Sequence, residues 1–171
     1  MNEDIFTGPA IVAYIIQQLK QRDLDKQVRK GTIQSISYLV STETKIGYEY
    51  VYSGRDVTSQ GLSLDIEFAI KCGIVTTSPY LWYMLEVDPN TRDLFDFVDD
   101  KIKYWIEKTA DRYNDFNNKE LRIASVIMYY VKELNVPIDK IPSVISISKS
   151  GFNMSQIDSV LSLILEILLF L

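Results

Sequence analysis

The stretch from Thr32 to Val75, TIQSISYLVSTETKIGYEYVYSGRDVTSQGLSLDIEFAIKCGIV, carries the reading of the fold. Ile33, Ile36, Leu39 and Val40 recur at spacings of three and four, which predicts a helix from about Thr32 to Thr44 with one inward face. Gly47 follows, where a left-handed residue can end a helical path. Tyr48, Tyr50 and Tyr52 then alternate with Glu49 and Val51, the period-two pattern of a strand, and Ser53-Gly54 turns the chain. A second helix is expected after Asp56, whose carboxylate can accept from first-turn amides, with Leu62, Ile66, Ala69 and Ile70 on one side. Lys71-Cys72-Gly73-Ile74 reads as a Schellman ending: a basic residue in the last turn, glycine after it, an apolar residue next.

Working outward, Ile74–Thr77 and Leu81–Val87 flank Ser78-Pro79 and read as a hairpin, in the place a wing occupies after the second helix of a winged helix. Both faces of the 81–87 strand are apolar, with Tyr80, Trp82 and Met84 opposite Leu81, Tyr83, Leu85 and Val87, so either the fold covers both sides or one face meets a partner. Upstream, Pro9 to Gln21 predicts a helix with Val12, Ile15, Ile16 and Leu19 inward. Downstream, Asp88-Pro89-Asn90-Thr91 breaks the chain. Phe95, Val98, Ile102, Trp105, Thr109, Tyr113 and Phe116 then predict one helix of about six turns. Asn117 with Glu120 and Asn153 with Gln156 have the spacing of capping boxes, so each opens a further helix. The expected fold is mainly α with a small β-hairpin or wing. A winged-helix-like N-terminal half (1–88) packs on an α-helical C-terminal half (89–171), as one compact domain.

Composition narrows the chemistry. The 171 residues include 18 Lys and Arg against 23 Asp and Glu, net −5, and no histidine at all. Histidine is the commonest general base near neutral pH and the commonest zinc ligand, so Ser-His-Asp and Cys-His catalysis and His-rich metal sites are excluded. No carboxylate or lysine constellation replaces them, and the chain is read as a non-enzyme with no cofactor. Asp93, Asp96, Asp99 and Asp100 are expected to serve the positive end of a helix rather than a cation. Lys149-Ser150-Gly151 has the wrong order for a phosphate loop. Cys72, the single cysteine, is expected to be a small buried residue in a reducing compartment. The start, Met1-Asn2-Glu3-Asp4-Ile5, is not that of a signal peptide, and Leu161–Leu171 is too short to span a bilayer, so a cytoplasmic setting is expected.

Three features offer contacts. Lys20, Arg22, Lys26, Arg29 and Lys30 give a net charge of +3 over eleven residues (five bases less Asp23 and Asp25), and with Arg55 they form the candidate nucleic-acid patch. The overall acidity and Asp56, Asp65 and Glu67 on the would-be reading helix weigh against DNA. Tyr48, Tyr50 and Tyr52 form an aromatic ladder that either packs in the core or anchors a peptide; nearby acids favour a peptide over RNA. The last helix is apolar on both sides, Leu163, Ile167 and Phe170 opposite Leu161, Leu165 and Leu168. Either a homodimer or protein partner covers it, or it lies inside the fold; membrane attachment is disfavoured because basic flanks are missing.

Arg29-Lys30-Gly31-Thr32-Ile33-Gln34-Ser35-Ile36-Ser37-Tyr38-Leu39, Tyr52-Ser53-Gly54-Arg55-Asp56, Ile70–Val75 and the tail from Leu121 to Ile157 resemble segments of Panacea-type domains and their prokaryotic relatives. The likeness extends over about two thirds of the chain. It departs at Ser35, where that family has lysine, and at Gly54-Arg55, where it has Pro-Tyr. The resemblance implies a winged-helix-related scaffold and an antitoxin-like or regulatory partner protein acting through protein–protein contacts. The alternative expectation is a winged-helix DNA-binding transcriptional regulator.

Overall fold

The computed structural model describes residues 5–78, 81, 84–148 and 151–169, of which Leu168 and Leu169 are described by their backbone alone. Among them the chain is mainly α, with two small antiparallel sheets. Helix α1 spans Thr7–Arg22 and α2 spans Lys30–Ser41. Strands β1 (Val51–Tyr52) and β2 (Val57–Thr58) pair as a short hairpin. Helix α3 (Gln60–Lys71) follows, then β3 (Val75–Thr77) paired with β4 (Leu85–Val87) in the register Val75↔Val87 and Thr77↔Leu85. A 3-10 segment, Pro89–Phe97, leads into α4 (Asp100–Arg112), α5 (Asn118–Lys132), α6 (Ile141–Ile147) and α7 (Met154–Leu169).

Helices α1 and α2 are the interior of the molecule. Every residue from Pro9 to Ile16 and from Thr32 to Val40 is buried, so the single inward face expected for each is too narrow. The cause is tertiary: α1 packs on α3, α4, the 3-10 segment and β4, while α2 packs on α5, α4 and β2. The polar side chains that this puts inside α2 are matched. Gln34 donates to the Ser59 carbonyl (3.0 Å) and Ser63 Oγ (2.9 Å) and accepts from the Ser59 amide (2.9 Å); Ser37 shares a 2.7 Å bond with Tyr50 Oη. One continuous buried cluster runs from Ala10 to Ile164, and α6 and α7 join it through α5.

Several expected details are corrected. Asp56 does not cap α3: Val57–Thr58 is strand, and Ser59 is the N-cap, its Oγ accepting from the Leu62 amide at 3.3 Å. Asp56 stands in the β1–β2 turn, where Ser53 N donates to its carbonyl (3.0 Å) and its carboxylate accepts from Arg122 Nε. The six-turn helix is interrupted. Pro89–Phe97 is 3-10 and Val98 is extended; Asp99 then caps α4, accepting from Lys101 N (2.8 Å) and Ile102 N (3.4 Å). Only Val51–Tyr52 of the tyrosine stretch pairs as strand. Cys72 is exposed rather than buried, because it is the C-cap of α3, one turn past buried Ala69. Leu85 is buried while Leu81 and Glu86 are exposed, so cover on both sides is incomplete among the described residues; Tyr80, Trp82 and Tyr83 lie outside the described residues.

The Schellman ending forms as expected, with Gly73 at φ +72°. Gly73 N donates to Ile70 O (3.1 Å) and Ile74 N to Ala69 O (2.9 Å). Both capping boxes form too. Asn117 accepts from the Lys119 and Glu120 amides, and Glu120 accepts from Asn117 N at 2.8 Å. Asn153 and Gln156 exchange bonds at 3.3 and 2.9 Å.

Candidate functional site

The basic run does not stay together in space as a set of free cations. Arg22 ends α1 and is held by α4: its Nε donates to Asp111 Oδ1 at 2.6 Å and its Nη2 to the Glu107 carbonyl at 3.2 Å. That bond holds the Asp111 carboxyl below its ordinary range. Lys26 is buried, its ammonium bonded to the Asn114 carbonyl; burial pulls its pKa down. Lys20 donates to the Leu24 carbonyl at 3.1 Å. Arg29 and Lys30, at the start of α2, and Arg55, in the β1–β2 turn, are exposed. Arg55 lines a cleft of about 280 Å³ with Gly31, Gln34 and Ser35.

The tyrosine ladder is half-buried and tied inward. Tyr48 Oη donates to Asp65 Oδ2 (2.7 Å), and Tyr52 Oη to the Gly54 carbonyl (2.9 Å). Tyr52 sits against Tyr129 and Tyr130 of α5, and Tyr50 against Tyr38 of α2. Burial pushes the phenols of Tyr48 and Tyr50 upward; for Tyr48 the Asp65 carboxylate adds to it. Besides packing on the core, Tyr48 and Tyr50 line an open cleft of about 650 Å³ with Tyr38, Lys45, Glu49 and Glu133.

On α7, Ile157, Val160, Leu161 and Ile164 are buried against α5 and α6, which accounts for one side of the apolar tail. Leu163 is 36% exposed and Ile167 half-buried; Phe170 lies outside the described residues. Beside α7, Ile147 on α6 is 86% exposed.

A surface that the sequence reading missed lies on α3. Its inward face is Leu62, Ile66 and Ala69, while Leu64 (59% exposed) and Phe68 (36%) point to solvent. The signal was present: Leu64 and Phe68 are four residues apart, and Leu64 lies about 200° around the helix from Leu62. Phe6 bridges this face to the 3-10 segment, its ring 6.3 Å from Phe68 and 6.4 Å from exposed Phe97. Ile5 is exposed next to it. Among the described residues no helix is long and apolar enough to cross a membrane. Compared with known proteins, the chain matches no family model, and no curated protein matches it.

Proposed function

We propose that this chain is a non-enzymatic interaction protein, antitoxin-like or regulatory, whose winged-helix-like N-terminal half binds a protein through the outer face of α3. The observation that carries this reading is the chemistry of that face. Where a helix reading DNA would present Arg, Lys, Asn or Gln, α3 turns Leu64 and Phe68 to solvent between Glu67 and Lys71. With Phe97 and Ile5 these make an apolar patch rimmed by charge, the composition of a protein-binding surface. The order α1, α2, α3 and then the β3–β4 hairpin supports the winged-helix-like arrangement. Partly exposed Leu163 on α7 and exposed Ile147 on α6 offer a second surface, suited to a homodimer.

The test combines light scattering of the purified chain with capture of partners by the tagged chain. Leu64→Glu/Phe68→Glu is expected to keep the fold, with a modest drop in melting temperature from the lost Phe6–Phe68 contact, while releasing the partner or dissociating an oligomer. A monomer at about 10 μM, a concentration that detects ordinary specific complexes, which retains no partner either way would sink the proposal.

A second reading, a DNA-binding regulator, draws on Arg29, Lys30 and Arg55, which remain exposed near the start of α2. It requires duplex binding that weakens steeply with salt and disappears in Arg29→Glu/Lys30→Glu. No binding at low salt removes it.

A further inference from the structure

Leu64, Phe68 and Cys72 are exposed and stand four residues apart, so they form one ridge along the outside of α3. Such a row, spaced by four, is the commonest surface through which one helix packs on another. The two flanks of this ridge differ. On one flank Gly8 lies against Asp65, which brings the start of α1 alongside, with exposed Ile5 and with Phe6 linking Phe68 to exposed Phe97. On the other flank stand Glu67 and Lys71, one turn apart and both exposed. They carry opposite charges and form no ion pair among the described residues. One flank is apolar and the other carries one charge of each sign.

We infer that α3 pairs antiparallel with α3 of a second copy of this chain, about a two-fold axis that passes beside Phe68. An axis perpendicular to the helices gives an antiparallel pair in which each flank meets the same flank of the copy. An axis along the helices gives a parallel pair in which opposite flanks meet. The first arrangement sets apolar flank on apolar flank; the second sets Glu67 and Lys71 on Phe6 and Phe97. With the axis at Phe68, that ring meets its own copy and Leu64 meets Cys72 of the second copy. Glu67 then comes within about 3 Å, measured along the helix, of Lys71 of the second copy. The two-fold axis repeats this ion pair, so charge fixes the register as well as the direction. Helix α7 is worse matched to itself in this arrangement, because pairing about Ser162 sets exposed Asp158 against exposed Glu166 of the second copy. Naming a second copy as the occupant of the α3 face rests on the protein-binding reading above.

The experiment is analytical sedimentation of the full chain from about 1 to about 100 μM, a range that brackets modest specific dimers. It compares the wild type, Glu67→Lys, Lys71→Glu, and those two variants mixed. The wild type is expected to dimerise with a Kd of about 10 μM or tighter. Each variant alone is expected to dimerise at least about tenfold more weakly, because like charges then meet on both sides of the axis. Mixed in equal amounts, the two variants are expected to pair with each other at the wild-type affinity, since every contact again joins opposite charges. Both changes are at exposed positions, and unchanged helical circular dichroism separates a weakened dimer from an unfolded chain. A wild type that stays monomeric to about 100 μM, a dimer indifferent to both charge changes, or a mixture that fails to pair overturns the inference. A dimer that survives Leu64→Glu/Phe68→Glu lies on another face and overturns it too. A monomeric wild type that captures a different protein, released by Leu64→Glu/Phe68→Glu, overturns the second copy and leaves the α3 protein-binding reading standing.

Discussion

Gln34 illustrates how single residues set the interior. It lies inside α2 with its amide in three bonds to Ser59 and Ser63, so one side chain both fills the core and fixes where α3 begins. Gln34→Leu keeps the volume but leaves the buried Ser59 amide without its acceptor. A loss of about 1–3 kcal/mol is expected in urea unfolding, the usual penalty for an orphaned buried group. Gly8 has a different constraint. A Cβ built there lies 2.0 Å from Asp65 Oδ2, so Gly8→Ala must push the carboxylate aside and break its bond to Tyr48. The expected cost is about 1–3 kcal/mol, as for other overpacked sites, and it should fall sharply in the Asp65→Ala background. Neither effect is legible in the sequence, because Gln34 and Gly8 acquire their roles from residues 25 and 57 positions away.

At the scale of elements, three local endings formed as read, while Asp56 did not cap α3. The Gly73 ending and the capping boxes at Asn117 and Asn153 involve residues at most a few positions apart, so sequence spacing specifies them. Gly73→Ala places a Cβ on a residue at φ +72° and is expected to cost about 1–2 kcal/mol. Ser59→Ala is expected to cost about 1 kcal/mol through the lost α3 cap, with Asp56→Ala changing α3 little. Chemical denaturation checks the Gly73→Ala and Ser59→Ala costs, and helical circular dichroism checks that α3 survives Asp56→Ala, whose lost pair with Arg122 acts elsewhere. The break before α4 escaped notice because a 3-10 turn repeats every three residues, so Phe95, Val98 and Ile102 keep a helical spacing across the interruption. Asp99, which ends it, looks in the sequence like one more first-turn acid.

For the whole molecule, the tyrosines dominate the response to pH. Burial pushes the phenols of Tyr14, Tyr38, Tyr48, Tyr50, Tyr52 and Tyr113 upward, with Tyr113 raised to about 12 from an ordinary 10.0. Each stays protonated in the folded chain at a pH where the unfolded chain has released its proton. The unfolded state then binds fewer protons, so stability is complete below about pH 10 and falls as pH rises toward 12 and beyond. The part of the phenolate absorbance that comes from these six tyrosines should therefore rise together with loss of helical circular dichroism, in one cooperative step. Independent titration of these phenols in a chain that keeps its helicity would contradict the buried positions assigned to them.

The sequence by itself determined most of the helices, the Gly73 ending, the capping boxes at Asn117 and Asn153 and the absence of histidine chemistry, because propensity, capping and composition act within a few residues. It also marked the tyrosines and the tail as apolar surface needing cover. Only the tertiary structure decided which of that surface is covered. Sandwiching between neighbours buries α1 and α2 on all sides and draws Arg22 and Lys26 into internal bonds, whereas α3 has a neighbour on one side alone and leaves Leu64 and Phe68 in water. Periodicity records that a residue is apolar; which side receives a neighbour depends on elements far along the chain, and that is settled only when they pack.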